Sequence, residues 1–161
     1  MDANEQFPTS EPLRASRIPI AQLSPSLEHF SESSIHASVT LLWPYSSSTK
    51  SLSLLLAEPD FRLRHSNGQV KAVFHGHIAE SVAQSHIGIG DSVYLSLNGA
   101  RLSDNVTAPG TPGRSVAWDM HFDDRVFLEV LRLRSSQENV VISLTRYPDM
   151  ALIESFVDCE S

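Results

Sequence analysis

The sequence predicts an all-β domain with one short helix. Three observations support this class. Apolar residues alternate with a period of two in several short segments, turn residues separate those segments, and one segment alone has helical spacing. The chain has 161 residues, of which 41% are hydrophobic and 19% are charged. Because this composition can bury one core, we expect a single folded domain.

The first three strands are predicted from alternation. Every second residue is apolar over 35–43, which indicates a half-buried strand. A polar turn separates it from a second strand over 51–58. The dipeptide Asn67-Gly68, typical of tight hairpin turns, precedes a third strand over 69–77.

The second half of the domain begins with a change of period. Residues 78–87 have helical spacing, which predicts a short helix. A fourth strand is expected over 93–97, and residues 99–114 are predicted to be a long loop rich in Gly, Pro, Ser and Thr. A fifth alternating strand is expected over 115–122.

The two ends of the chain have a different composition. Residues 1–17 are polar and aperiodic, which predicts a disordered N-terminal arm. We assign the domain to residues 18–133, in which 126–133 is apolar and of either helical or strand type. Residues 134–161 are expected to form an acidic C-terminal tail.

Three strands, a helix, a strand, a long loop and a strand are the element order of an OB-fold, a five-stranded Greek-key barrel. The alternative is another small barrel or sandwich in which the helical segment is an irregular connection.

Charge and cysteine content limit the classes of function. The formal net charge is −7, whereas a protein that binds nucleic acid over its whole surface should be basic. Residues 50–101 have five basic and four acidic side chains, so nucleic-acid binding would need a local groove with base stacking.

The single cysteine, Cys159, cannot form an internal disulfide. No apolar run is long enough for a spanning helix or a signal peptide, so membrane insertion and secretion are not expected.

Several short motifs resemble one known family. They are IPIAQL (18–23), LLWPY (41–45), LLAEPDFRLR (55–64), GQV (68–70), GIGD (88–91), LSL (95–97), GA (99–100) and PGRSVAW (112–118). With these motifs the chain resembles fungal telomere-end-binding proteins of the protection-of-telomeres type over about residues 18–132. The resemblance implies an OB-fold that binds single-stranded telomeric DNA in the nucleus, at the chromosome ends. It implies other telomere proteins as further partners and no cofactor.

The binding face of an OB-fold consists of its second and third strands and the loops that join strands one to two and four to five. There, bases stack on aromatic rings while Arg and Lys contact phosphates. The candidates are Tyr45, Lys50, Phe61, Arg62, Arg64, Lys71, His75, His77, Tyr94, Arg101 and Arg114. Arg62 and Arg64 are expected on one side of an alternating segment. Trp43 and Trp118 are on the inward parity and are expected in the core.

No residue pattern indicates catalysis or a metal site. His75 and His77 would share one side of a strand, but a zinc site needs further ligands and no cysteine is near. Asp119 and His121 would also share a side, without a nucleophile beside them. We therefore expect a binding protein and not an enzyme. The alternative function is an OB-fold module that holds a protein partner and has weak or no DNA affinity, which the acidic balance would suit.

Overall fold

The computed structural model describes residues 11–64, 67–104, 115–133 and 138–145. Within these ranges the strands are β1 (Ser34–Ser46), β2 (Ser51–Ala57), β3 (Gln69–His75), β4 (Ser92–Ser96), β5 (Ala100–Asp104), β6 (Ser115–Phe122), β7 (Arg125–Leu131) and β8 (Val140–Thr145). The helices are α1 (Glu11–Ala15) and α2 (Gly76–Gln84), and 3₁₀ turns lie at Ile20–Gln22, Phe30–Glu32 and Phe61–Leu63.

All eight strands form one mixed sheet in the order β5-β6-β3-β2-β1-β4-β7-β8. The pairing of β3 with β6 is parallel, and the other neighbours are antiparallel. β4 and β5 are separated by only three residues of the chain, 97–99, although they are the sixth and the first strands in this order. The prediction of a mostly β domain with a short helix between the third and fourth strands is confirmed.

The sheet has more strands than the five predicted. Residues 100–104, which we assigned to a loop, form β5 and pair with β6 from Ala100 to Asp104. The ambiguous segment after residue 125 is a strand, and 140–145, part of the predicted tail, pairs with it. Pairing between distant segments therefore decides structure where local patterns are weak. Residues 105–114 and 146–161 lie outside the described ranges.

The boundary between the third strand and the helix lies two residues earlier than predicted. β3 ends at His75, and α2 begins at Gly76, whose φ is +61°. Positive φ is easily adopted by glycine, which allows the chain to turn sharply from strand into helix. His77 is consequently on α2 and not on the strand that carries His75.

Part of the predicted N-terminal arm is folded. Residues 11–15 form α1, and Arg17 makes a β-bridge with Ser34. Leu13 is buried among the otherwise polar residues of this segment. Farther along, the fully buried Ile20 donates its backbone N–H to the buried Glu58 carboxylate at 2.7 Å. Residues 1–10 lie outside the described ranges.

β1 contains a bulge that reverses its side-chain alternation. Val39 faces Leu56 of β2, whereas Leu41 faces Leu55, so Thr40 is an extra residue in β1. The Thr40 hydroxyl donates a hydrogen bond to the Leu55 carbonyl at 3.1 Å. A bulge of this kind shifts the following residues to the opposite face. The prediction that Leu41 and Trp43 continue the inward parity is therefore wrong: their exposed fractions are 47% and 44%.

The core lies between the inward faces of the strands and one side of α2. Phe74 on β3 and Phe122 on β6 are in register, fully buried and stacked with 5.3 Å between ring centroids. Ile78, Ala79 and Val82 bury one side of α2 against this core.

A buried ion pair attaches the end of α2 to the strand β7. The side chains of Arg132 and Asp91 are only 6% and 8% exposed, and Arg132 Nη1 lies 3.3 Å from Asp91 Oδ2. Arg132 also donates to the carbonyls of Ser85 and His86, which follow α2. The second Asp91 oxygen accepts the Leu133 N–H at 2.9 Å. The charged groups are thus surrounded by hydrogen-bond partners, as burial requires.

Candidate nucleic-acid interface

Outward side chains of β5, β6, β3, β2 and the second half of β1 form one continuous surface. Their neighbours on the opposite parity, such as Leu54, Ala72 and Met120, are buried in the core. One row across the surface is Leu41, Leu55, Lys71, Asp119 and Ser103. The next row is Trp43, Ser53, Val73, His121 and Arg101. We call this surface the five-strand face.

Trp43 is the exposed aromatic residue of the five-strand face. The bulge at Thr40 directs its indole outward, and the Lys71 ammonium lies 4.8 Å from the ring centre. Leu41 extends the exposed apolar surface along the same strand. At the centre of the face Ser53 and Val73 are only 9% exposed. An indole with a cation beside it offers a stacking surface and a phosphate contact together.

Two histidines on neighbouring strands are hydrogen-bonded on this face. His75 Nε2 and His121 Nδ1 are 2.9 Å apart, and the ring planes differ by 15°. His121 Nε2 shares a second hydrogen bond with Ser103 Oγ at 3.0 Å. Burial, then the Arg101 charge and then His75 lower the pKa of His121. His75 is among the candidates predicted from the sequence, and His121 is not.

The charges of the five-strand face are mixed. Arg101 Nη2 lies 3.2 Å from Asp123 Oδ2, at the turn after β6, and more than half of the arginine side chain is exposed. Lys71 faces Asp119 across the β3–β6 pair. The face therefore has cations within reach of a ligand but no large excess of positive charge.

The segment after β2 is a turn and not an alternating strand. Phe61–Leu63 is a 3₁₀ turn that begins after Asp60, whose carboxylate binds the backbone and guanidinium of Arg62. These hydrogen bonds lower the pKa of Asp60. Arg64 instead lies over the Phe61 ring, 4.2 Å from its centre, and donates to the Glu58 carbonyl. A period of three replaces the period of two, so the expectation that both arginines share one side and one role is wrong.

Phe61 is the most exposed large hydrophobic residue of the described part of the chain, at 71%. Arg64 covers one side of its ring. The Phe61 ring is therefore on the surface and not in the core.

Tyr94 lies away from the five-strand face. Its ring stacks on His36 of β1 at 4.2 Å, with 8° between the planes. Arg14 of α1 lies over the ring at 4.8 Å and pairs with Glu129 at 3.3 Å. Burial, followed by the charges of Arg17 and Arg14, lowers the pKa of His36. His36 and Arg14 therefore both contact the Tyr94 ring, and the Arg14 contact attaches α1 to the sheet.

The remaining candidates are dispersed. Tyr45, at the end of β1, is half-buried and donates its hydroxyl to Glu80 Oε2 at 3.4 Å; desolvation and the Glu80 charge raise the pKa of Tyr45. Lys50 is exposed in the turn before β2, and His77 is exposed on α2. Arg114 lies outside the described residues.

Two residues of the five-strand face were not predicted as site residues from the sequence: Trp43, which supplies the exposed indole, and His121, which is hydrogen-bonded to His75. Neither the bulge nor the parallel pairing of β3 with β6 has a local signature. Pro44 is the one available signal for Trp43, because proline cannot donate to the sheet ladder and is found in strands at bulges or edges. Trp118, in contrast, packs against the core as predicted.

No three metal-ligating side chains come together in the ranges that the structure describes. Among the same residues, no helix has the length and apolar character needed to cross a membrane.

The fold and this surface define a mostly β, single-sheet domain with an exposed indole and mixed charges on one face. Residues 14–141 match the family described as "Domain of unknown function (DUF8502)", and the chain belongs to that family. No curated protein matches the sequence. Among solved structures, the chain is similar to the crystal structure of fission yeast Pot1 and ssDNA, with a TM-score of 0.44 and 14% identity. The match covers 80% of this chain and 39% of that chain, and a likeness of this size does not define a function.

Proposed function

We propose that this domain binds single-stranded DNA on the five-strand face, with the telomeric overhang as its target in the nucleus. Binding would occur without catalysis: bases stack on Trp43, and Lys71 and Arg101 contact phosphates. Phe61, Arg62 and Arg64 would extend the contact at one end of β2.

The observation that carries the proposal is the exposed indole of Trp43 with the Lys71 ammonium 4.8 Å from its centre. Burial of Trp43 would have stabilised the protein, and its outward indole lies beside the exposed Leu41, so the two together favour a ligand surface. Base stacking on an aromatic ring contributes about 1 to 3 kcal/mol per base.

We also propose that β1 to β6 form the five-stranded barrel of an OB-fold. β4 pairs with β1 and β5 with β6, while only residues 97–99 separate the two segments. A bend at these residues would make β4 and β5 one strand and close the sheet. The five-strand face would then be the outer binding face of the barrel, the surface on which OB-folds hold oligonucleotides.

A fluorescence-anisotropy titration tests the proposal. A G-rich telomeric single strand should bind at low salt, and log Kd should change with log salt by about 0.7 per phosphate contacted. With few cations on the face, we expect a slope that corresponds to two or three contacts. Absence of binding at low salt would contradict the proposal.

Trp43→Ala is the direct test of the site. We expect it to weaken binding by about tenfold, the lower part of the range for one lost base stack, while the melting temperature changes little because the indole is exposed. Ile89→Ala is the matched control, since Ile89 is 61% exposed but lies in the turn before β4. An equal loss of affinity in both variants would show that Trp43 has no specific role.

The second candidate function is a protein-interaction module on the same face. The adjacent exposed Leu41 and Trp43, together with the net charge of −7, favour it. In that case the titrations with single strands would be flat at low salt, and Trp43→Ala would alter only binding to a protein partner.

A further inference from the structure

We propose that His75 and His121 form a proton-sharing pair that strengthens single-stranded nucleic-acid binding on the five-strand face as the pH falls. This inference rests on the proposed function and adds a regulation of the same site.

The geometry of the pair is that of a shared proton and not of a metal chelate. The ring centroids are 5.1 Å apart and the facing nitrogens 2.9 Å apart, with nearly parallel planes. The distance between the two nitrogens plus the radius of each ring nearly equals the distance between the ring centroids. The two centroids and the two nitrogens therefore lie close to one line, so the rings meet edge to edge through an N–H···N hydrogen bond. To bind a tetrahedral metal ion together, the lone pairs of His75 Nε2 and His121 Nδ1 would have to point at one position away from this line. The pair can accept one additional proton and still keep its hydrogen bond.

Neighbouring groups hold the pair in place and set its charge. The Ser103 hydroxyl fixes the His121 ring from β5 at 3.0 Å. The charged or titratable groups around the pair are Arg101 on β5, Asp119 on β6, Asp123 after β6, Lys71 on β3, Lys50 before β2 and His77 in the first turn of α2. Burial and Arg101 lower the pKa of His121, and the two aspartates oppose this in part. Imidazole is the side chain whose charge ordinarily changes between about pH 5 and 8, and the geometry of the pair leaves it one further proton to accept.

The added charge appears where the proposed ligand lies. His121 is in the same row of the five-strand face as Trp43 and Arg101. A polyanion on this row stabilises the protonated pair, so by linkage binding takes up a proton and affinity increases as pH falls. One linked proton permits at most a tenfold increase in affinity per pH unit, and partial uptake gives less.

The experiment is an anisotropy titration at about pH 7.5 and about pH 5.5 with an oligonucleotide of G and T only, whose bases do not titrate in this range. We expect the affinity of the unmodified protein to rise by about tenfold between the two conditions. In the double variant His75→Gln with His121→Asn, which keeps a polar atom near each lost nitrogen, the rise should be less than about twofold. His86→Asn, in the exposed turn after α2, is the matched control and should behave as the unmodified protein.

Thermal unfolding at both pH values checks that each variant is folded. Independently of the variants, calorimetry of the unmodified protein in two buffers of different ionisation enthalpy should show net proton uptake on binding. Binding with the same pH dependence in all proteins, or without proton uptake, would overturn the inference and leave the proposed function intact. Absence of binding at every pH would overturn the proposed function, and this inference with it.

Discussion

At the scale of single residues, the aromatic side chains differ in what covers them. Trp43 has a cation at its ring and is 44% exposed, whereas Tyr94 lies between the His36 ring and the Arg14 guanidinium. An aromatic ring with both sides occupied cannot also stack on a base. Tyr94 therefore stabilises the contact between α1 and the sheet, and Trp43 is the ring available to a ligand.

Replacement of Tyr94 should consequently change stability and not DNA binding. Tyr94→Ala removes one ring stack and one cation–π contact, which together contribute about 2 kcal/mol. We expect a loss of that size in urea denaturation and an affinity for single strands within about twofold of the original. Tyr94→Phe keeps the ring and should restore most of the stability. A large loss of affinity in Tyr94→Ala, with the protein folded, would contradict this assignment.

At the scale of elements, the described part of the chain contains ion pairs in two contrasting environments. Arg132 and Asp91 are almost fully buried and connect β7 to the end of α2, whereas Arg101 and Asp123 are about half exposed. Loss of one partner from a buried pair leaves a charge without solvent or counterion, while water compensates the loss of an exposed pair. The buried pair should therefore determine the position of α2.

The variant Arg132→Leu tests this difference. We expect it to reduce the free energy of unfolding by about 3 kcal/mol, because Asp91 and the carbonyls after α2 lose their donor. Arg101→Ala should cost less than about 1 kcal/mol. Chemical denaturation of the two variants under the same conditions gives the comparison, and equal losses would show that the buried network does not stabilise the fold.

Alternation in the sequence was sufficient to locate β1, β2, β3, β4 and β6. It failed within β1, because the side-chain repeat predicts orientation only while the register continues, and Thr40 interrupts it. It also failed for β5, whose short Ala100–Asp104 segment acquires its strand structure from pairing with β6. The His75–His121 contact could not be predicted, since it depends on the parallel pairing of strands almost fifty residues apart.

At the scale of the whole molecule, residues 97–99 connect β4 to β5, the sixth and the first strands in the order of the sheet. Gly99 has a φ of +92°, and a Cβ there would lie 2.8 Å from the Arg125 carbonyl oxygen and overlap the Arg125 side chain. Both the backbone conformation and the close approach of the strand β7 require glycine at this position. The corner between β4 and β5 is thus fixed by the backbone.

Gly99→Ala should destabilise the protein by about 1 to 3 kcal/mol, the cost of a residue forced into a rarely populated conformation. Gly88→Ala is the matched control, because a Cβ at Gly88 would meet no atom within 4 Å and its φ is not positive. Thermal and urea denaturation measure both. A Gly99→Ala protein as stable as the control would show that the corner is flexible.

Because of the bulge at Thr40, the exposure of the Trp43 indole depends on the register of β1 as well as on side-chain chemistry. The surplus residue is absorbed between Val39 and Leu41, so deletion of Thr40 would leave a regular strand with Trp43 still directed to solvent. If Thr40 instead joined the ladder, the second half of β1 would rotate by one position and present Leu42 to the ligand in place of the ring. The bulge, and not a residue that would contact the DNA, therefore decides whether the Trp43 ring or Leu42 faces a ligand.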